Sequence, residues 1–176
     1  MNINVAKSAG FCFGVNRAVN MVYSLLEEDK KVCTFGPIIH NMEMVRELQE
    51  KGCVAVSDIA DVPNDATLVI RSHGIPLDME KQINDACITC SDATCPFVAK
   101  IHKIVSEASQ NGRVVLVAGD KNHKEVKGIL GHCSGECYTF MSEEELLELF
   151  NSGKILANSP VTAVSQTTFN SEIWDN

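Results

Sequence analysis

The sequence predicts an α/β fold with mainly parallel sheets, and two observations carry that prediction. A short apolar run, a glycine-bearing polar turn that holds a histidine, and an amphipathic helix recur in that order three times along the chain. Further strand and helix candidates alternate between and after these units, with no linker or low-complexity segment dividing them. Strands that alternate with helices form parallel sheets, because a parallel neighbour is reached only through a long crossover.

Taken in order, residues 2–6 alternate weakly and read as a short strand leading into Ser8-Ala9-Gly10-Phe11-Cys12-Phe13-Gly14. The glycines flanking Cys12 allow unusual backbone angles or the close approach of another group, so this is a candidate thiolate turn. Val15, Ala18, Val19, Val22, Leu25 and Leu26 follow helical spacing, and that helix stops near Glu28-Asp29-Lys30. The first recurring unit runs from Lys31 to His40, with a helix around Met42, Val45 and Leu48 that ends at Gly52. Cys53-Val54-Ala55-Val56 is a further strand, ahead of a loop through Pro63-Asn64-Asp65. The second unit runs from Ala66 through Ser72-His73-Gly74 to a helix that starts after Pro76 and passes through Ile83. The third runs from Val114 to His123, with a short helix through Ile129. Cys137-Tyr138-Thr139-Phe140 reads as a strand, and Ser142-Glu143-Glu144-Glu145 as a capping-box start for a helix carrying Leu146, Leu147 and Phe150. A last strand, Val161-Thr162-Ala163-Val164, runs into Ser165-Gln166-Thr167-Thr168.

Composition narrows the function. With 176 residues, 45% of them hydrophobic, and a mean hydropathy of +0.01, the chain has material for one good core or two small lobes. The N-terminus lacks a basic region followed by an apolar stretch, and no run of about 18 apolar residues occurs, so a cytoplasmic protein with no membrane partner is expected. A net charge of -8 and a pI near 5.1 argue against a nucleic-acid partner, which needs a basic face. Eight cysteines without a secretory signal point to reduced thiols, metal ligation or redox chemistry.

Asp92-Ala93-Thr94-Cys95-Pro96 is the strongest local candidate. Proline suits the first position of a helix, which puts Cys95 at the N-cap, facing unpaired N–H groups and the positive end of the helix dipole. Cys95 is therefore read as a metal-site thiolate, against the plainer reading of a small buried cysteine. His40, His73, His123 and Thr167 all follow strand candidates, at the carboxyl ends where ligands gather in parallel sheets, and suggest a shared polar pocket. Glu125 reads equally as a carboxylate favoured at a helix start and as a proton donor facing that pocket. The spacing Cys87-x2-Cys90-x4-Cys95 invites a zinc or ferredoxin reading, but the downstream Cys133-x3-Cys137 with His132 matches a second zinc ligand pair only loosely, and a ferredoxin cluster needs a fourth cysteine and the reverse order of spacings. Cys33, Cys53, Cys87 and Cys90 are expected as buried or incidental thiols, and His102 as a helix-flank residue.

Taken together, Gly10-Phe11-Cys12-Phe13-Gly14-Val15, Ile39-His40-Asn41, Ser72-His73-Gly74, Asp92-Ala93-Thr94-Cys95-Pro96, His123-Lys124-Glu125-Val126 and Gln166-Thr167-Thr168 resemble the 4-hydroxy-3-methylbut-2-enyl diphosphate reductase family, LytB/IspH, from Met1 to about Thr168. The resemblance implies three similar, three-layer-like α/β lobes set pseudo-symmetrically around a central cluster site. Residues 1–95 then form the first lobe, with residues 1–13 available to pack with the third, and residues 96–176 form the second. It implies reductive dehydroxylation of an allylic alcohol diphosphate to isopentenyl and dimethylallyl diphosphates, the last step of the methylerythritol phosphate route. It also implies a 4Fe-4S iron-sulfur cluster held by three cysteines, of which Cys12 and Cys95 match two. His40, His73 and His123 match the residues that hold the diphosphate, Glu125 the acid that relays protons, and Thr167 a hydroxyl in that relay. The implied partners are the small-molecule substrate and an electron donor such as ferredoxin or flavodoxin. The third lobe, with the third cysteine, is expected to be absent from this chain, which makes it an incomplete enzyme. A non-catalytic anion-binding module or truncated product without a cluster is the alternative, and a zinc protein a third option.

Overall fold

A computed structural model describes residues 3–7 and 9–175. The chain divides into two compact units, one comprising Met1–Ser72 with Thr89–Cys95 and the other His73–Ile88 with Pro96–Asn176. Both are α/β with wholly parallel sheets.

The first unit contains α1 (Phe13–Glu27), β1 (Lys31–Phe35), α2 (Met42–Glu50), β2 (Val54–Val56), a 3-10 turn (Ile59–Asp61), β3 (Ala66–Ile70) and β4 (Cys90–Asp92). Its sheet has the order β2-β1-β3-β4, with Cys33 opposite both Val54 and Leu68, and Leu68 opposite Cys90. The apolar stripe of α1 (Ala18, Val19, Val22, Leu25) packs into one cluster with Val32, Ile38, Leu48, Val69 and Ala93. Removing that surface from water is the main force holding the helix to the sheet.

The second unit contains α3 (Leu77–Asp85), α4 (Pro96–Gln110), β5 (Val114–Ala118), α5 (Lys124–Gly131), β6 (Cys137–Phe140), α6 (Glu143–Asn151), β7 (Val161–Ser165) and α7 (Ser171–Asp175). Its sheet has the order β6-β5-β7, and every residue of the central β5 is buried. Alternation of side chains explains this. Val115 and Val117 join Val105, Val126 and Ile129 from α4 and α5, while Val114 and Leu116 point the other way to Ile155 and Leu149. Both faces are covered, hence the continuous apolar run in the sequence.

Some expectations are corrected. Within the expected strand 2–6, Asn2 lies outside the described residues, and residues 3–6 form no strand: Ile3 and Val5 are both 77% exposed, and no strand among the described residues pairs with them. Helix α1 begins at Phe13, two residues earlier than the apolar periodicity indicated, which makes Cys12 its N-cap. Strand β4 was not foreseen, because three residues of Cys-Ser-Asp on a sheet edge carry no apolar pattern. Cys33 and Cys53 are buried, but Cys87 and Cys90 are exposed. His102 is no flank residue. It sits on the core side of α4, 6% exposed, stacked on His132 with ring centroids 4.1 Å apart, and Gly128 on α5 leaves room for it.

Candidate active site

In the first unit, the two candidate ligand cysteines converge on the start of α1. Cys12 is the exposed N-cap of that helix, and Cys95 is half-buried at the end of the turn that follows β4. A Cβ added at Gly14 would lie 2.6 Å from Cys95 Sγ and 2.9 Å from its Cβ, so only glycine lets the sulfur come this close to the helix. The Cys95 turn is pinned on several sides. Its N–H donates to Ser72 O (2.9 Å), Ala93 N–H donates to Ile70 O (3.0 Å), and Asp92 Oδ1 accepts from Thr94 N–H (2.8 Å). Arg17, one helical turn after Gly14, donates to Thr94 O (3.0 Å) and Asp92 O (3.1 Å). Arg71, directly after β3, carries a buried Nε with no hydrogen-bond partner among the described residues, and burial pushes its pKa down. His40 is exposed just before Asn41, whose side chain caps α2 by accepting from Met44 N–H.

In the second unit, His73, His123, Glu125 and Thr167 lie together. His123 caps α5, and its Nδ1 accepts from the Glu125 N–H (3.2 Å). An accepting Nδ1 carries no proton, so the neutral ring has its N–H on Nε2. The His73 ring stands edge-on to that of His123, with centroids 5.6 Å apart. The turn behind His73 requires Gly74, at φ 70°, and is tied back by His132 Nε2 donating to Ile75 O (3.1 Å). Glu125 is 2% exposed. Thr167 covers it from the loop after β7, its N–H donating to Oε1 (2.7 Å) and its hydroxyl to Oε2 (2.8 Å). Two clefts of this unit, about 530 Å³ beside Asp120 and Lys154 and about 590 Å³ beside Glu80 and Cys133, include none of these four residues.

Sequence reasoning missed Arg17, and it read Gly14 only as a permissive flank of Cys12. Their signal was present in the spacing of Cys12, Gly14 and Arg17 across the first turns of one helix, but its meaning depends on the distant turn that packs there.

These features define an α/β protein with a two-thiol turn pair in one unit and a histidine, carboxylate and hydroxyl group in the other. The profile of the LytB protein family matches residues 3–176, and the chain belongs to that family. It is 40% identical to the 4-hydroxy-3-methylbut-2-enyl diphosphate reductase of Clostridioides difficile, with 99% of this chain and 61% of the relative aligned. It is likewise 40% identical to the enzyme of that name from Geotalea uraniireducens, over 96% of this chain and 57% of the relative. Among solved structures, the (E)-4-hydroxy-3-methyl-but-2-enyl diphosphate reductase described as the terminal enzyme of the non-mevalonate pathway superposes with a TM-score of 0.82 at 37% identity, covering 98% of this chain and 60% of that one. The Plasmodium falciparum E-1-hydroxy-2-methyl-but-2-enyl-4-diphosphate reductase gives a TM-score of 0.88 at 26% identity, covering 96% and 52%. The chain thus spans about three-fifths of the length of the curated relatives it matches. No helix among the described residues is long and apolar enough to cross a membrane.

Proposed function

We propose that this chain carries two lobes, residues 1–95 and 96–176 except that residues 73–88 group with the second, of an iron-sulfur reductase that removes the hydroxyl of 4-hydroxy-3-methylbut-2-enyl diphosphate. The overall change consumes two electrons and two protons, breaks the allylic C–O bond and releases water, giving isopentenyl and dimethylallyl diphosphates. The observation that carries the reading is the buried Glu125 carboxylate, held by both donors of Thr167 beside the His73 and His123 rings.

Cys12 and Cys95 are the residues that would hold the cluster, and what surrounds them fits an anionic iron-sulfur group. Thiolates are soft ligands suited to iron, Cys12 faces the N-terminal end of α1, Gly14 leaves space at the Cys95 sulfur, and Arg71 has an orphaned buried donor in the same unit. When bound, the cluster supplies electrons and an open iron that acts as a Lewis acid toward the departing hydroxyl.

The chain's own residues do the rest. The Nε2–H of His123 donates to a diphosphate oxygen, and His73 and His40 are assigned to the same substrate group. Such donors bind an anion locally despite the overall charge of -8. Glu125 takes up the proton to be delivered at Oε2, and the Thr167 hydroxyl, which donates to that oxygen in the resting arrangement, turns to accept it while passing its own proton toward the substrate. The electron donor is assigned by class, as a small redox protein such as ferredoxin or flavodoxin.

The test is anaerobic reconstitution of the 176-residue chain with iron and sulfide. A visible iron-sulfur absorption band, weakly retained and lost in both Cys12→Ser and Cys95→Ser, is expected. Weak retention and little turnover follow from two thiolates acting as the anchor. Absence of any iron would favour an anion-binding module instead, and zinc at the same cysteines would remove the redox reading.

A further inference from the structure

We propose that Arg17 is a positioning residue for cluster ligation: its guanidinium braces the Asp92–Cys95 turn against α1, so that Cys12 and Cys95 keep a fixed separation. The inference rests on the cluster reading above and deepens it.

The turn alone is a poor platform for a ligand. It extends only three residues, Ala93 to Cys95, beyond a three-residue edge strand, and Asp92 at the end of that strand is exposed. The backbone N–H groups of Ala93, Thr94 and Cys95 all have acceptors, two of them carbonyls at the end of β3 and beyond it. Those bonds fix where the donors of the turn point but leave the carbonyls of Asp92 and Thr94 unassigned. Arg17 takes both, through Nη2 and Nη1 at 3.1 and 3.0 Å. A planar guanidinium suits carbonyls two residues apart, whereas a lysine ammonium holds one firmly and the other poorly.

Location gives the brace its consequence. Arg17 and Gly14 are three residues apart on α1 and therefore share a face, and both act on the Cys95 turn: Gly14 by steric fit to Sγ, Arg17 by hydrogen bonds to the preceding carbonyls. Cys12 caps the same helix two residues before Gly14. A rigid first turn and a half of α1 thus acts as the spacer between the two thiols. It also sets a fixed positive charge beside a site meant for an anionic group. Ligands held by a supporting shell of this kind lose metal more slowly than ligands on a free loop.

The experiment compares the full chain with Arg17→Gln and Arg17→Lys. In metal-free protein, amide hydrogen exchange at Thr94 and Cys95 should speed by about tenfold or more in Arg17→Gln, the equivalent of one charge-assisted hydrogen bond. Arg17→Lys should recover part of that loss, and the urea midpoint should fall in Arg17→Gln by no more than one such hydrogen bond accounts for, with Arg17→Lys between it and the parent chain. After anaerobic reconstitution, the half-life of the visible band under an iron chelator should shorten in the order parent, Arg17→Lys, Arg17→Gln. Unchanged exchange in Arg17→Gln overturns the brace. Faster exchange with unchanged cluster half-life overturns its link to ligation. A parent chain that takes up no cluster refutes the cluster reading and with it the ligation role, while the exchange result still reports on the brace.

Discussion

Glu125 shows how one buried side chain is kept usable. A carboxylate that is 2% exposed is costly unless its oxygens are satisfied, and here both are, by the two donors of a single threonine. Glu125→Gln keeps the shape and one acceptor, and the freely rotating Thr167 hydroxyl can accept from the new amide. Its fold should therefore survive, with a stability loss of about 1 kcal/mol. Turnover in a complete enzyme should fall by roughly a hundredfold or more, the range for loss of a general acid. Thermal melts and single-turnover assays measure the two effects separately; intact turnover would remove Glu125 from proton delivery. Gly14→Ala should behave in the opposite way. The added methyl meets Cys95 Sγ at 2.6 Å and Cβ at 2.9 Å, so the turn must move. The cost of overpacking, about 1–3 kcal/mol, is partly offset by the better helix propensity of alanine. The expected signature is near-parental stability with loss of reconstituted iron, read by urea titration and metal analysis.

At the scale of elements, the helices follow the local code closely. Ser142 caps α6 as its sequence signature required, its hydroxyl accepting from Glu145 N–H at 3.3 Å. The reciprocal bond differs from a standard capping box: Glu145 Oε2 takes the N–H of Met141, one residue before the cap, at 2.7 Å. Ser142→Ala should cost about 1 kcal/mol, visible as a lower urea midpoint, because it strands one N–H of the first turn. Strands proved less legible. β5 and β3 were readable because both of their faces are covered, so nearly every residue is apolar. β4 was invisible because an edge strand of three polar residues exists only through its partner β3. The early residues 3–6 show the converse, an alternating pattern with no strand among the described residues to pair against.

Across the whole molecule, the buried Cys53 and half-buried Cys137 thiols link stability to pH. Burial pushes the Cys53 thiol up to about 11, against an ordinary value of 9.0, and pushes Cys137 up to about 12, where the neighbouring Cys133 adds to the effect. Folded pKa values above the unfolded ones mean that the fold prefers the protonated thiols. Their contribution is intact below pH 9 and is lost as the pH rises from there through 11 to 12. At pH 10 the unfolded Cys53 would be about nine-tenths ionised, a penalty of about 1.4 kcal/mol from that residue. Urea midpoints at pH 7 and pH 10 should show the fall, and Cys53→Ala should reduce it; a flat profile would mean that these thiols are not held protonated. By itself the sequence determined the α/β class, most of the helices, the central strands and the identity of the reactive residue types, because each of these is written in short-range periodicity and turn chemistry. It also carried the family motifs at Cys12, His40, His73, Cys95, His123, Glu125 and Thr167. Only the tertiary structure decided that Gly14 and Arg17 serve Cys95, that Thr167 closes over Glu125, and that His102 belongs to the core. Those relations join residues far apart in the chain, and the packing that brings them together leaves no local pattern to read.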